Sequence, residues 1–435
     1  MNRRKFIRSA GLVGLWTFLQ ACRVGNIAEF LREATVTPLA QEPPPVTPWP
    51  TTTATPPHSP TPIILPGEPT QPLSPTATTT GTPPTGPAQT GGDTSPITTP
   101  TDTPTPTPTP TPYPPGPPSK LGLFVTRHDP KVLEITAVGQ PALIKTIEFD
   151  SNFVKGLKDS SPTTLIVSRL GQLDQMNLDI EPGPLVQAFT EALLPLATES
   201  RRMEAILGWE AYNEPVADTA DKMKRLADFE AERTRILGEN GVRSVVGNFG
   251  AGQPPLELWP LFEPALAAIR QYGGFLGLHE YSAPVMQFRS GDLQLEGEPG
   301  QGDEGWLTLR YRKVYRQFLQ PMGYGDIPLL ITECGVDGLV QPRPGPAEAE
   351  GWLDFIDTWR ANGLRDDPPG VYMDQLIWYD QNLQQDEYVK GAAIFLMGTN
   401  DRRWESYDIL GPATGRMSDL LQQYLQVHPP DGVSR

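Results

Sequence analysis

Cysteine and histidine are scarce in this chain of 435 residues. Two cysteines and four histidines occur, at Cys22, Cys334, His58, His128, His279 and His428. Two cysteines cannot form a disulfide framework or a thiolate-rich metal site. Because His58 lies in a proline-rich stretch and His428 near the C-terminus, too few histidines remain for most metal-dependent hydrolases. We therefore expect the protein to need no metal or other cofactor.

Positive charge is also limited. The sequence has 35 lysines and arginines against 51 aspartates and glutamates, which gives a formal net charge of −16. Binding to nucleic acid requires a basic stripe or patch that contacts the phosphates. The charge balance therefore argues against a nucleic-acid partner and is typical of an acidic, soluble surface.

The first 22 residues have the features of an export signal. A charged segment from Asn2 to Arg8 precedes an apolar stretch from Ala10 to Leu19. Ten residues are too few to cross about 30 Å of hydrocarbon as a helix, so a signal peptide fits better than a membrane anchor. The segment Arg3–Ile7 resembles the core of a twin-arginine signal, although Asn2 stands where Ser or Thr is usual.

The end of this segment resembles the cleavage box of bacterial lipoproteins. It reads Leu19-Gln20-Ala21-Cys22, in which Cys22 would carry the lipid, although Gln20 is larger than the box prefers. The alternative is ordinary cleavage nearby, with no lipid. We expect an exported protein, either a cell-surface lipoprotein on the outer face of the cytoplasmic membrane or a secreted one.

Residues 23–118 are predicted to form a disordered, Pro/Thr-rich linker. More than half of the 51 prolines precede residue 119, and Thr103–Pro112 alternates Thr and Pro. Proline fixes φ and removes backbone donors, so such a chain prefers polyproline II and acts as a semi-rigid spacer. The segment also buries too little apolar surface to fold.

The remaining residues, 119–430, have the length of an α/β barrel. Short apolar runs that are typical of buried parallel strands occur at Leu121–Thr126, Ala142–Glu148, Thr164–Arg169, Ala205–Ala211, Arg243–Phe249, Phe275–Tyr281, Ile327–Glu333 and Gly391–Met397. Helical periodicity occurs at Pro184–Ser200, Asp218–Asn240, Pro255–Tyr272, Trp306–Leu319, Ala347–Ala361 and Met373–Gln384. The first two crossovers are short and weakly helical. The pattern predicts an α/β fold, a (β/α)8 TIM barrel, and no Gly-rich phosphate loop follows the first strand.

Two glutamates follow the fourth and seventh predicted strands. Asn213-Glu214-Pro215 follows the fourth strand, and Thr332-Glu333 ends the seventh. The C-terminal ends of barrel strands carry the chemistry of TIM-barrel enzymes. These paired motifs resemble clan A of the glycoside hydrolases, the retaining (β/α)8 glycosidases that include families 5 and 39, over nearly the whole chain after residue 119.

The resemblance implies a role for each carboxylate. Glu214 would be the general acid and then the general base, and Glu333 would be the nucleophile that forms a glycosyl-enzyme. Such chemistry needs one protonated and one ionised carboxyl, about 5–5.5 Å apart for retention. Either glutamate taken singly could be a solvated cap or an ion-pair partner.

Substrate contacts also follow from the resemblance. Asn213 would bond the sugar 2-hydroxyl, Tyr281 would hold the nucleophile, and Trp404 would form the floor of the sugar subsite. His279 and Tyr281 are two residues apart on the sixth strand and so point to the same side. Each of these residues also has a plain packing or turn-forming reading.

Three further polar residues are weaker candidates for sugar-hydroxyl donors. They are His128 after the first strand, Lys145 in the second and Arg169 at the end of the third. The arginine common on the second strand of the clan is not evident, and Lys145 or Arg169 could take its place. Each could equally serve in structural pairing.

The sequence predicts a retaining glycosidase, without a cofactor, that acts on an extracellular glycan. We expect a monomer whose membrane contact is the N-terminal lipid anchor alone. One alternative is a catalytically inactive barrel that binds glycans or cell wall at the surface. Another is a metal-dependent barrel hydrolase, which the shortage of histidine disfavours.

Overall fold

The predicted barrel is present in the computed structural model of the chain. The structure describes residues 113–147, 150–171, 176–291, 295, 297–298 and 302–430. Eight parallel strands form one closed barrel in chain order, and β1 (Leu121–Val125) pairs with β8 (Val389–Met397) to close it. The (β/α)8 prediction is therefore confirmed. The predicted signal peptide, Cys22 and the linker up to residue 112 lie outside the described residues.

The strands match the apolar runs closely. Between β1 and β8 they are β2 (Leu143–Ile147), β3 (Leu165–Arg169), β4 (Gly208–Trp209), β5 (Ser244–Phe249), β6 (Gly274–Ser282) and β7 (Leu329–Val336). The fourth is much shorter than predicted. Its backbone pairing extends only to the Glu210 amide, which bonds the Ser168 carbonyl at 2.9 Å.

Ten α-helices of the described residues surround the barrel. They are α1 (Pro130–Gly139), α2 (Ser151–Ser160), α3 (Pro182–Ala197), α4 (Ser200–Ala205), α5 (Ala220–Glu239), α6 (Glu263–Tyr272), α7 (Arg310–Val314), α8 (Ile356–Ala361), α9 (Pro368–Leu383) and α10 (Met417–Val427) within the described residues. The predicted helix Pro255–Tyr272 is divided, because its first part, Leu256–Phe262, is a 3-10 helix that contains Pro260. Residues Tyr315–Leu319 continue α7 as a π-helix.

The first two crossovers are helical despite their weak periodicity. Asp129 caps α1 by accepting from the Lys131 amide, and Asp150 caps α2 by accepting from the Asn152 amide. Side-chain caps satisfy amides that a helix start leaves unbonded. Both helices are only ten residues long.

The apolar core has two layers. One layer fills the barrel with side chains such as Phe124, Leu143, Val167 and Leu330. The other layer lies between the strands and the surrounding helices. It contains Trp259 and most of the other buried apolar side chains. Alternation along each strand therefore sends successive side chains inward and outward, and the inward-facing polar side chains carry the site described below.

The first described residues, from Tyr113, pack against α10 in the outer ring of helices. Tyr113, inside the predicted linker, meets Tyr424 of α10 edge-on with ring centroids 5.5 Å apart. The Gly116 amide bonds the Val427 carbonyl at 3.3 Å, and Lys131 of α1 pairs with Asp419 of α10 at 3.0 Å. Among the helices described, none is long and apolar enough to span a membrane.

Candidate active site

Glu214 lies on a constrained turn between β4 and α5. Its φ is 45°, in the left-handed region that residues other than glycine seldom adopt. The Glu214 amide bonds the Asn248 carbonyl at 3.2 Å, which ties the turn to the end of β5. A Cβ at Gly250 would lie 3.2 Å from the Glu214 carboxyl carbon, so a side chain there would crowd this carboxyl. The turn therefore fixes where the Glu214 side chain can lie.

The pairing of β6 with β7 brings His279 beside Glu333. The register shifts between Leu278 and His279, after which His279 pairs with Glu333. A bulge of this kind re-aims side chains locally. The shift thus places the inward-facing His279 and the Glu333 carboxylate at the same level of the barrel.

Glu333 is bonded through both of its oxygens. Lys145 Nζ donates to Oε1 at 2.9 Å, and the Tyr281 hydroxyl donates to Oε2 at 2.7 Å. His279 Nδ1 lies 3.5 Å from Oε2. The side chain is only 4 % exposed. Its near-complete burial is compensated by three neighbours that carry a positive charge or can donate a hydrogen bond.

These neighbours decide the ionisation of Glu333. Burial alone would raise the pKa of this carboxyl, but His279, Lys145 and Arg169 outweigh it through their charges, and the Tyr281 hydroxyl adds a hydrogen bond. Together they hold the pKa of Glu333 well below its usual range. Glu333 is therefore a carboxylate at neutral pH, as a nucleophile must be.

Glu214 and Glu333 lie close together with His279 between them. His279 Nδ1 is 3.0 Å from Glu214 Oε1. One oxygen of each carboxylate and one ring nitrogen of His279 all lie within 4.8 Å of one another. Retaining glycosidases hold their carboxyls about 5–5.5 Å apart, whereas inverting ones need roughly 6.5–9.5 Å. The Glu214 side chain is 17 % exposed and that of Glu333 4 %, so Glu214 faces the mouth and Glu333 the interior.

The sequence analysis did not identify Glu210 as part of this cluster. Its side chain is fully buried, Oε2 lies 2.8 Å from Lys145 Nζ, and Arg169 Nε lies 3.9 Å from the same oxygen. Lys145 thus bridges Glu210 and Glu333 inside the barrel. A glutamate within the otherwise apolar run Ile206–Ala211 was the available signal, because alternation from Gly208 directs residue 210 inward.

Asn248 was also missed. Its side chain is buried, its φ is 49°, and its Oδ1 accepts from the Thr332 hydroxyl at 3.1 Å. The backbone carbonyl of Asn248 accepts from the Glu214 amide, and its side-chain oxygen accepts from Thr332, the residue before Glu333. Asn248 therefore connects the Glu214 turn to the end of β7. No pattern in the sequence marks a residue whose backbone carries this role.

Asn213 and Lys145 lie close to the carboxylate pair in different ways. Asn213 precedes Glu214 on the turn, and its buried Oδ1 accepts no hydrogen bond from the part of the chain that the structure describes. Lys145 is fully buried. Its two carboxylate partners and the Phe124 ring, 4.8 Å from Nζ, surround the ammonium group, so it is placed to bind Glu333 rather than a sugar.

Trp404 is connected to the site by a series of aromatic contacts. It is half-buried and meets Phe395 of β8 edge-on, with ring centroids 5.4 Å apart. Phe395 in turn meets Tyr281 edge-on at 6.1 Å. Phe395, which was not predicted as a site residue, therefore lies between Trp404 and the tyrosine that bonds Glu333.

His128 lies on the rim of the barrel. It is exposed and stacks on Phe153 of α2, with ring centroids 4.2 Å apart and planes 15° apart. This contact holds the loop after β1 against α2. A sugar-binding role for His128 stays a prediction.

Two residues beside the site face away from it. Glu280 lies between His279 and Tyr281 and bonds the Tyr379 hydroxyl of α9 at 2.7 Å. Cys334 follows Glu333 and is fully buried, and burial raises the pKa of its thiol well above the ordinary value. A thiol in this state is a poor nucleophile.

Glu214, His279 and Glu333 also form a set of three possible metal ligands. Both oxygens of Glu333 are already engaged, by the Lys145 ammonium and the Tyr281 hydroxyl. A divalent cation would have to compete with that ammonium 2.9 Å from Oε1. The residues present therefore suit proton transfer and nucleophilic attack better than metal binding.

No family model and no curated protein matches this sequence. Among solved structures, the chain is similar to an endo-β-1,4-mannanase from Thermotoga petrophila, at 9 % identity, over 73 % of this chain and 78 % of that one, with a TM-score of 0.41. It is also similar to a β-galacturonidase from Eisenbergiella tayi, at 15 % identity, over 72 % of this chain and 51 % of that one, with a TM-score of 0.44. A third is a β-1,3-glucanase from Cryptomeria japonica pollen, at 11 % identity, over 67 % and 95 %, with a TM-score of 0.41. At these values the likeness is one of barrel architecture, and no substrate follows from it.

Proposed function

We propose that this chain is a retaining glycoside hydrolase, with Glu214 as acid/base and Glu333 as nucleophile. The observation that carries the proposal is that one oxygen of each carboxylate lies within 4.8 Å of the other, beside a ring nitrogen of His279. An oxygen–oxygen distance of no more than 4.8 Å fits the closer carboxyl spacing of retaining enzymes better than the wider spacing of inverting ones. Glu333 is buried and bonded by Lys145 and Tyr281, whereas Glu214 is more exposed. These different surroundings support different roles for the two carboxyl groups.

In the first step the Glu333 carboxylate attacks the anomeric carbon of the sugar. The bond from that carbon to the leaving oxygen breaks, and Glu214 gives its proton to this oxygen. The products are a glycosyl ester on Glu333, an ionised Glu214 and a free alcohol. Lys145 and Tyr281 keep Glu333 ionised and fix its orientation before attack.

In the second step Glu214, now a carboxylate, removes a proton from water. The resulting hydroxide attacks the anomeric carbon, and the ester bond to Glu333 breaks. Both carboxyls return to their starting states, and the anomeric configuration is retained because the carbon was inverted twice.

The first experiment measures hydrolysis of a panel of aryl glycosides and polysaccharides by the full chain. Glu214→Gln and Glu333→Gln are tested beside it, with Glu280→Gln as a matched control because Glu280 is a buried glutamate that faces the helices. We expect the two site variants to lose most activity and the control to keep it. If no substrate is cleaved while a glycan still binds, the chain is a glycan-binding barrel instead.

Azide distinguishes the two roles. In Glu214→Ala it can replace the water of the second step, because azide needs no base, and it gives a glycosyl azide of retained configuration. In Glu333→Ala it can occupy the place of the nucleophile and gives an azide of inverted configuration. The same configuration from both variants would contradict the assignment.

We also propose that the chain is exported and that Cys22 carries a lipid. The motif Leu19–Cys22 and the charged and apolar segments before it support this. Metabolic labelling with a fatty acid should mark the wild-type chain and not Cys22→Ala, which should be released from membranes. If the wild-type chain takes up no label, the lipid at Cys22 is contradicted and the proposal of export alone remains.

A further inference from the structure

The proposed nucleophile belongs to a buried array of four charged side chains. Lys145 and Arg169 supply two positive charges, and Glu210 and Glu333 supply two negative charges. All four side chains are at most 7 % exposed. Buried charges are stable only when they are paired, and with Glu333 ionised this array sums to zero.

Lys145 is the centre of the array. Its Nζ lies 2.8 Å from Glu210 Oε2 and 2.9 Å from Glu333 Oε1. Among the residues that the structure describes, it forms an ion pair with no other carboxylate. The two glutamates therefore share one ammonium from the two sides of the barrel interior.

The balance changes during the reaction proposed above, on which this inference rests. When Glu333 bonds to the anomeric carbon it becomes an ester and loses its negative charge. Lys145 and Arg169 keep theirs, because neither takes part in proton transfer. Among the described residues, Glu210 is then the carboxylate that remains ion-paired to Lys145.

We propose that Glu210 is a positioning residue that acts through Lys145 as its permanent counter-ion and so sets the relative rates at which the glycosyl-enzyme forms and breaks down. Without Glu210, the Lys145 ammonium loses this counter-ion when Glu333 becomes an ester. The carboxylate form of Glu333 is then favoured over the ester. A more strongly stabilised carboxylate is a weaker nucleophile and a better leaving group. Formation of the ester therefore slows, and its breakdown does not.

The test follows the adduct directly. The probe is the 2-deoxy-2-fluoro glycosyl fluoride of the sugar that the wild-type chain cleaves, since the fluorine at carbon 2 slows both steps. Intact-mass spectrometry of the full chain gives the rate of adduct formation, and dilution out of the probe gives the rate of its loss. In Glu210→Gln we expect formation to slow about tenfold or more, the effect of about one pKa unit on a barrier, with loss unchanged or faster.

Two further variants separate charge from packing. Glu280→Gln, the matched control, also removes a buried carboxyl group but one that does not contact Lys145, and it should leave the ratio of the two rates unchanged. The double variant Glu210→Gln/Arg169→Gln restores a net charge of zero in the array with Glu333 ionised. It should return the ratio toward that of the wild type, even if the single variant Glu210→Gln does not fold.

Either of two results would overturn the role of Glu210. One is a fall of both rates by the same factor in Glu210→Gln. The other is a ratio in the double variant no closer to wild type than in Arg169→Gln alone. A wild-type chain that cleaves no glycoside and forms no adduct would overturn the proposed function itself, which is a separate outcome.

Discussion

His279 Nδ1 lies 3.0 Å from Glu214 Oε1 and can contact Glu333 as well, at 3.5 Å from its Oε2. One ring nitrogen thus faces both carboxylates of the proposed reaction. Its ring is fully shielded from solvent, so its orientation is set by packing. The imidazole keeps the two carboxylates at a fixed separation and supplies a donor or a charge between them.

The activity of a His279 variant should depend on which ring nitrogen its new side chain replaces. The side-chain amide of asparagine places an atom close to Nδ1, whereas that of glutamine places one close to Nε2. We expect His279→Asn to keep about tenfold more kcat/KM than His279→Gln, the worth of one hydrogen bond to a charged group. Equal activities, or a more active glutamine variant, would show that Nδ1 does not serve the carboxylates.

Tyr281→Phe removes the 2.7 Å hydrogen bond to Glu333 Oε2. A hydrogen bond to a charged group contributes about 1.5–3 kcal/mol, so kcat/KM should fall roughly 10- to 100-fold. Because this bond lowers the pKa of Glu333, the acid limb of the kcat/KM profile should also move to higher pH. The measurement is the pH dependence of kcat/KM.

Tyr379→Phe is the matched control for that variant. Its hydroxyl is also buried and donates to a glutamate at 2.7 Å, but the acceptor is Glu280, on the helix-facing side of β6. We expect it to lower stability and leave the pH profile in place. A shift of the acid limb in both variants would mean that the effect is structural rather than specific to Glu333.

The barrel was predictable because each strand is a separate apolar run. Seven of the eight strands match their predicted positions closely, since a parallel strand buried on both faces leaves a clear signal. The exception is β4, Gly208–Trp209, where the chain leaves the sheet to form the turn that carries Glu214. The turn that carries Glu214 interrupts the regular strand pattern at this point.

The positions of the two carboxylates and the contact of Tyr281 with Glu333 were predictable, whereas the contacts of Glu210 and Asn248 were not. Glu214 and Glu333 follow strands, so a strand count places them at one end of the barrel. Glu210 and Asn248 act through an ion pair and a backbone carbonyl with residues distant in sequence. Asn248 lies where the register of β5 with β6 shifts, which no local pattern specifies. Alternation could have directed Glu210 inward, but it does not reveal the residue with which Glu210 pairs.

Removal of metal ions should leave activity unchanged. Lys145 already supplies the positive charge beside Glu333 Oε1 at 2.9 Å, and the proposed steps need only proton transfers and a carboxylate nucleophile. The measurement is kcat/KM after dialysis against a strong chelator, with metal content checked by mass spectrometry. Activity that disappears with the metal and returns on its addition would instead favour a metal site at Glu214, His279 and Glu333.

Glu280 should make the stability of the protein depend on pH in a distinctive way. Burial, opposed by hydrogen bonds from Tyr379 and from the Tyr311 and Leu309 amides, raises the pKa of this carboxyl from 4.5 to about 7. The folded state therefore binds more protons than the unfolded state between these two pH values. By linkage, this group's contribution to the free energy of unfolding is greatest below pH 4.5 and falls until about pH 7.

Glu280→Gln removes this titration, so the comparison of the two proteins isolates it. The free energy of unfolding lost through the substitution should shrink by on the order of 3 kcal/mol between pH 4 and pH 8. Denaturant unfolding of wild type and variant across that range measures it, and the contributions of all other groups cancel in the difference. A loss that is constant or grows with pH would mean that Glu280 is ionised in the folded protein, with its charge held by Tyr379 and the two backbone amides rather than suppressed by burial.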